Sequence, residues 1–95
     1  MNIKELHTVE KDISAVSAFR SENSTATALQ ILEGCQLKEH ITKVPAMLIC
    51  IEGKAIFENE KGDKFTLLAG DYVNIEPMVK HWVDGVETSQ LLLIR

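Results

Sequence analysis

Short runs of apolar or alternating residues, separated by turns that contain glycine, dominate the pattern of the chain. These runs are rich in β-branched or aromatic residues, or alternate apolar with polar positions, as half-buried strands do. They span residues 25–32, 46–51, 54–58, 64–68, 72–75, 81–83 and 89–94. Glycines lie between the runs, where each can supply the positive φ of a tight turn. The spacing predicts an all-β sandwich or barrel.

Two loops and one ambiguous segment complete this pattern. Residues 59–63, Asn-Glu-Lys-Gly-Asp, predict a hairpin loop, and the pair Asp84-Gly85 predicts a second turn. Residues 11–20 fit either of two structures. Their apolar positions recur every three residues, at Ile13, Val16 and Phe19, as in a helix. We favour a strand that pairs with residues 25–32 across the polar turn 21–24, with the helix as the alternative.

Composition narrows the class of protein. The 95 residues are 45% hydrophobic, which suits one globular domain, residues 1–95. No run approaches the roughly 18 apolar residues of a membrane helix, and the first dozen residues lack a secretory signal, so we expect a cytoplasmic protein without a membrane partner. The net charge of −4 disfavours a nucleic-acid partner, because phosphate binding requires clustered basic residues. Cys35 and Cys50 lack a CxxC spacing and are expected to be reduced core residues.

A first motif opens at Gly34. His40 follows it after five residues, and Gly53 closes the segment. The segment resembles the first motif of the cupin superfamily, in which a Gly precedes a His-x-His pair, a Glu and a closing Gly. Thr42 stands where the family has its second His, and Ala46 stands where it has the Glu.

A second motif begins with Gly70 and Asp71, continues with an apolar strand and reaches His81. It resembles the second cupin motif, which runs Gly-Asp, a strand, a Pro-x-Gly turn and a His. Glu76 stands at the usual Pro position, and Met78 replaces the Gly of the turn.

The resemblance covers residues 34–53 and 70–83, about half of the chain, and it implies a fold. That fold is a double-stranded β-helix, the jelly-roll barrel of RmlC-like proteins. Residues 40–46 also have the His-x-x-x-x-Pro-Ala form of small stand-alone cupins, whose activities are mostly undefined and which commonly pair as homodimers. The resemblance therefore implies a fold and a homodimer more strongly than a chemistry.

The resemblance also implies a depleted metal site. Metal-bearing cupins hold a divalent ion with three His and one Glu, whereas this chain keeps only His40 and His81 as weak candidate metal ligands. The hydroxyl of Thr42 does not replace an imidazole, and Ala46 offers no ligand. We expect no tightly bound metal or other cofactor.

The alternation of side chains along strands predicts a binding pocket instead. Glu39 points away from the face of His40, and Trp82 points outward beside His81. Six residues are expected to line the pocket, with a polar corner and an apolar wall: His40, Thr42, His81, Ala46, Leu48 and Cys50.

We expect the other histidine and three aromatic side chains to have structural roles. His7 is expected at the surface of a polar N-terminal strand. Phe57, Phe65 and Tyr72 are expected to fill the core. The direction of Glu76 is left open.

Three functions of different classes follow from these observations. The favoured one is a non-catalytic small-molecule-binding or structural barrel. The second is a metal-dependent enzyme of oxygenase or isomerase type, in which water or substrate completes the coordination of His40 and His81. The third is a dimeric interaction or sensory module that uses outward residues such as Trp82.

Overall fold

The computed structural model describes all 95 residues and contains nine strands that follow one short 3₁₀ turn at Ile3–Leu6. No helix in it has the length and apolar character needed to cross a bilayer. The strands are β1 Ile13–Arg20, β2 Thr25–Ile31, β3 Gln36–His40, β4 Ala46–Glu52, β5 Ala55–Asn59, β6 Lys64–Leu67, β7 Tyr72–Ile75, β8 His81–Gly85 and β9 Ser89–Ile94. The all-β prediction is confirmed, and β3 is a strand that the apolar runs did not include.

Two antiparallel sheets enclose the core. The five-stranded sheet has the order β1-β2-β9-β4-β7, and the four-stranded sheet has the order β3-β8-β5-β6. Inward side chains of both sheets form one hydrophobic cluster of 13 buried residues. Leu48 and Leu91 from the first sheet and Phe57 and Val83 from the second are at most 2% exposed. This layering of two sheets buries one face of each, as a jelly roll requires.

The segment with helix-like spacing is the strand β1, paired with β2 across the turn as predicted. A β-bulge between Ser17 and Phe19 explains the second step of this spacing, whereas Ile13 packs against the core on the opposite face. Val16 faces Ala28 and Phe19 faces Ala26, so three residues of β1 match two of β2. The extra residue places Val16 and Phe19 on the same face of the sheet, which produces a period of three inside a strand.

The predicted turn at Asp84-Gly85 is wrong. Both residues belong to β8, and the chain turns at residues 86–88 instead. Gly85 is the one glycine without a positive φ. Its role is steric, because a Cβ there would lie 2.7 Å from Cγ2 of Ile31 and 2.8 Å from the Leu32 carbonyl oxygen. By contrast, the hairpin loop at residues 59–63 joins β5 and β6 as predicted.

Two aromatic residues expected in the core are exposed. Phe65 is 49% exposed on the edge strand β6, and Tyr72 is 57% exposed on the edge strand β7, whereas Phe57 is buried as predicted. Tyr72 points to the outer face of its sheet, because Val73 and Ile75 are the buried residues of β7. Phe65 lies opposite the buried Phe57, but β6 has no neighbour on its other side. Cys35 is half-buried against the core and Cys50 is fully buried; neither forms a disulfide.

The first ten residues form an arm that lies along the outer face of the five-stranded sheet. His7 is half-buried at the end of the 3₁₀ turn, so its predicted place on an exposed strand is wrong. Its Nδ1 lies 2.7 Å from Oγ of Ser14 at the start of β1. Lys4 reaches Glu52 at the end of β4, with Nζ 3.2 Å from Oε2. These two contacts hold the arm across the sheet.

Candidate functional site

A second β-bulge brings the two histidines of the sequence motifs together. In the pairing of β3 with β8, Leu37 faces Val83 and His40 faces His81, so one extra residue lies on β3. A regular strand would send Leu37 and His40 to opposite faces; the bulge turns both inward. The ring centroids of His40 and His81 are 4.2 Å apart in an edge-to-face arrangement.

Both imidazoles are held in the same tautomer by their own strands. The Nδ1 of His40 lies 2.9 Å from the Lys38 carbonyl oxygen, and that of His81 lies 3.3 Å from the Val79 carbonyl oxygen. A carbonyl oxygen can only accept, so each Nδ1 carries the hydrogen and donates. In the neutral rings, each Nε2 is therefore left with a lone pair, ready to accept a hydrogen bond.

Burial disfavours the charged form of His81. Its ring stacks on Phe57 with centroids 5.6 Å apart, and the residue is only 2% exposed. Burial lowers the pKa of His81 below its ordinary value, and the nearby His40 lowers it further, against the opposing hydrogen bond to Val79. At neutral pH, His81 is a hydrogen-bond acceptor and not a cation.

Thr42 contributes a buried hydroxyl at the same end of the barrel. It is 1% exposed, and its Oγ1 has no hydrogen-bond partner. Its carbonyl oxygen accepts from the backbone N–H of Met78, which fastens the segment after β3 to the turn before β8. Met78 has a φ of 66°, in the region that usually favours glycine. A buried hydroxyl without a partner costs about 1–3 kcal/mol, so it requires an explanation.

The three apolar residues of the predicted pocket belong to the packed core. Ala46, Leu48 and Cys50 all point inward from β4, as their alternation predicted. Ala46 lies at the strand end nearest the histidines, whereas Cys50 is four residues away, about 13 Å along a strand. Cys50 Sγ points to the carbonyl oxygen of Glu52, at 3.5 Å, and burial raises the pKa of the thiol. The structure therefore does not bring Cys50 to the histidines.

The residues present do not fit the metal that the fold family implies. The carboxylates of Glu39 and Glu76, which are close to the two histidines in sequence, form ion pairs with lysines at the surface. Glu76, whose direction the sequence left open, binds Lys61 with Nζ 2.6 Å from Oε2, and Glu39 lies 3.7 Å from Nζ of Lys80. No group of three or more His, Cys, Asp or Glu side chains could hold an ion. Two imidazoles alone fall short of the three protein ligands typical of catalytic sites.

The cavities of the structure lie away from the histidines. One, of about 400 Å³, is lined mainly by the arm: Met1, Asn2, Ile3, Glu5, Leu6 and Ala18. The other, of about 520 Å³, is lined by Lys11, Asp12, Ile13, Gln36 and Lys38. His40 is less buried than His81, so solvent reaches the pair from the side of His40.

The lowered pKa of His81 predicts how stability depends on pH. Since the folded protein binds this proton less readily than the unfolded chain, the free energy of unfolding should fall as pH decreases below about 6.5. Burial lowers the pKa of His7 in the same direction. Thermal unfolding between pH 5 and 7.5 should show a weaker pH dependence for His81→Gln than for the wild type, and a weaker one still when His7→Gln is added. An unchanged slope in both variants would contradict this assignment.

Comparison with known proteins identifies the fold. No protein-family model matches the sequence, and no curated protein matches it. Solved structures do match. A cupin superfamily protein from Desulfitobacterium hafniense has a TM-score of 0.84 at 14% identity, over 97% of this chain and 84% of that one. A cupin-2 domain containing protein from Shewanella frigidimarina has a TM-score of 0.82 at 15% identity, over 100% and 92%.

A third similar structure is described by the fold that the sequence predicts. It is an RmlC-like cupin family protein with a double-stranded β-helix fold from Methanocaldococcus jannaschii, with a TM-score of 0.79 at 15% identity over 94% of this chain and 84% of that one. At these identities the likeness establishes the fold alone. The predicted double-stranded β-helix is confirmed, and the activity stays open.

Proposed function

We propose that this barrel of cupin fold is a non-catalytic binding protein for a small, uncharged molecule that donates hydrogen bonds. His40, Thr42 and His81 would hold the ligand. The observation that carries the proposal is the buried Thr42 hydroxyl without a partner, at the end of the barrel where two imidazoles that donate from Nδ1 present their Nε2 atoms.

The tautomers of the histidines support this class of ligand. Two Nε2 lone pairs accept hydrogen bonds, which favours hydroxyl or amide donors, and the Thr42 hydroxyl can both donate and accept. An anion would face the two lone pairs without a compensating positive charge, because burial disfavours the protonated form of His81. A neutral polyol or sugar-like molecule fits the site, because it donates hydrogen bonds and carries no negative charge.

The absence of catalytic partners around the pair supports a binding role over an enzymatic one. Glu76 and Glu39 lie at the surface beside lysines, so neither is placed as a general base for the histidines. Cys50, the one buried thiol, lies at the other end of β4, and burial raises its pKa, which disfavours the nucleophilic thiolate.

The substitution Thr42→Val tests the proposal, with two effects of opposite sign. Valine keeps the shape but removes a hydroxyl that is unpaired without ligand, so the free protein should gain about 1 kcal/mol of unfolding free energy and about 4–8 °C in Tm. The same variant should lose the thermal shift that a neutral polyol or sugar produces in the wild type. Differential scanning fluorimetry against a panel of such compounds measures both effects.

The control for this experiment is Thr66→Val, which removes an exposed hydroxyl on β6. It should leave both the Tm and the ligand response unchanged. Two outcomes would contradict the proposal: retained ligand binding in Thr42→Val, or stoichiometric transition metal in untagged protein that is lost on His40→Ala or His81→Ala. The second outcome would support the metal-dependent enzyme instead.

The proposed assembly is a homodimer, as the resemblance to small cupins implies. A chain of 95 residues buries only about 60–65% of its unfolded surface, so its own core leaves stability marginal. Pairing with a second copy would add buried apolar area to that small core.

A further inference from the structure

Met78 has a backbone conformation that disfavours its long side chain. Its φ of 66° lies in the left-handed region, which glycine adopts freely and a bulky residue rarely does. It stands in the turn between β7 and β8, where the second cupin motif has a glycine. Residues strained in this way persist only where the surrounding structure fixes them, and they cluster at functional sites. A role for the Met78 side chain is therefore expected.

Three hydrogen bonds fix the turn around Met78. Its N–H donates to the Thr42 carbonyl oxygen at 2.8 Å. Two residues further on, the N–H of Lys80 donates to Oε2 of Glu60 at 2.6 Å, and the N–H of Glu60 donates to the Lys80 carbonyl oxygen at 2.9 Å. None of these bonds uses the Met78 side chain, which is 62% exposed. The fold thus holds the strained backbone and leaves the side chain available for other contacts.

Two more exposed apolar side chains belong to the segment that Met78 contacts. Ile41 and Val44, between β3 and β4, are 39% and 51% exposed. Because consecutive Cα atoms are about 3.8 Å apart, their Cα atoms lie within about 8 Å of that of Thr42. We call Ile41, Val44 and Met78 the apolar rim. Single exposed apolar residues are ordinary, but here three from two loops adjoin one hydrogen bond.

The apolar rim adjoins the polar groups of the proposed site. Thr42, whose carbonyl oxygen binds Met78, has its hydroxyl buried and without a partner. Ile41 directly follows His40 in the chain. The same short segment therefore presents polar groups inward and apolar side chains to solvent. A ligand bound to Thr42 and His40 would have its outer end beside the rim.

We infer that the apolar rim binds an apolar substituent of the ligand and that Met78 determines this specificity, an inference that rests on the proposed function. The ligand is then a neutral amphipathic molecule, with a hydroxylated head and an alkyl chain, and not a bare polyol. The head meets His40, Thr42 and His81, and the chain covers the rim. No rim residue is charged, and the unbranched, polarisable side chain of methionine adapts to apolar groups of varied shape. Burial of the exposed rim supplies binding free energy that a bare polyol does not obtain.

A series of alkyl glucosides tests this inference in the wild-type protein. Methyl, butyl and hexyl β-glucoside share one neutral head and differ only in chain length. A fully buried methylene strengthens binding about fourfold, and a chain on an open rim gains part of that. The hexyl compound should therefore bind at least about tenfold more tightly than the methyl compound. Isothermal titration calorimetry below the micelle concentration measures this ratio.

The variant Met78→Gly removes the side chain and keeps the left-handed turn. The affinity ratio of the hexyl to the methyl compound should fall to about threefold or less. The Tm of the free protein should not decrease, because glycine relieves the strain. A purely structural side chain would instead lower the Tm on removal and leave the ratio unchanged. If Met78→Gly does not fold, Met78→Asn replaces it, since asparagine also tolerates a positive φ and removes the apolar group.

The matched control is Val86→Gly. Val86 is 40% exposed and follows β8 at the end of the strand opposite to His81, so this variant should keep the wild-type ratio. Equal affinities for the three glucosides in the wild type, or a ratio that persists in both Met78 variants, would overturn the inference and leave the proposed function standing. Binding of none of the glucosides at millimolar concentration would overturn both.

Discussion

Replacing Gly53 by alanine is expected to destabilise the barrel by about 2–6 kcal/mol, a large share of the stability of a small domain. Two costs add together. Gly53 has a φ of 95°, a conformation that costs a residue with a Cβ about 1–3 kcal/mol. The added Cβ would also overlap the Thr88 carbonyl oxygen and lie 2.8 Å from Cα of Ser89, and forcing such contacts costs a further 1–3 kcal/mol or so.

The contacts at Gly53 are with backbone, which cannot move aside as a flexible side chain can. Thr88 and Ser89 lie at the start of β9, the central strand of the five-stranded sheet, so any shift would disturb the pairing of β9 with β2 and β4. Urea denaturation of the alanine variant should therefore show a midpoint far below that of the wild type, or no folded baseline.

Gly62 supplies the matched control for this prediction. It has nearly the same φ, 90°, but no heavy atom lies within 4 Å of the position that its Cβ would occupy. Gly62→Ala should cost only the free energy of the unfavourable backbone conformation, about 1–3 kcal/mol. Equal losses in the two variants would show that the close approach at Gly53 has no energetic consequence.

Truncation of Leu91 is expected to have the second large effect. Leu91 is 1% exposed on β9, where it pairs with Leu29 on one side and Cys50 on the other. Removing its side chain beyond Cβ leaves a cavity that the surrounding strands, paired on both sides, cannot close. Leu91→Ala should lower the free energy of unfolding by about 2–5 kcal/mol, measured by urea denaturation.

The control for Leu91 is a leucine at the surface. Leu68 follows β6 and is 51% exposed, so Leu68→Ala should change the free energy of unfolding by no more than about 0.5 kcal/mol. A small loss in Leu91→Ala would mean that the core repacks around the deletion. The proposed homodimer does not affect the comparison if both variants are measured at the same protein concentration.

Most of the strand pattern could be predicted from the sequence because the runs between glycines are short and bounded on both sides. β7 and β9 begin and end where the apolar runs predicted. The predictions were wrong where the local sequence pattern carries no information about distant contacts. The pattern predicts a turn at Gly85, although this glycine is needed for its close contact with Ile31 and Leu32, residues more than 50 positions away.

The sequence overestimated the core at the edges of the sheets. Phe65 and Tyr72 are residue types common in cores, but Phe65 lies on the edge strand β6 and Tyr72 points to the outer face of its sheet. A sequence pattern does not reveal which strand is at an edge, because strand order is set by pairings distant in the chain.

By itself, the sequence determined the class of fold and singled out the two histidines of its motifs, because glycine spacing and residue type are local properties. The tertiary structure decided how those residues act together. The bulge in β3 turns His40 to His81, pairing with lysines draws the carboxylates to the surface, and packing leaves the Thr42 hydroxyl buried without a partner. Each depends on contacts between segments far apart in the chain, which a pattern along one strand cannot encode.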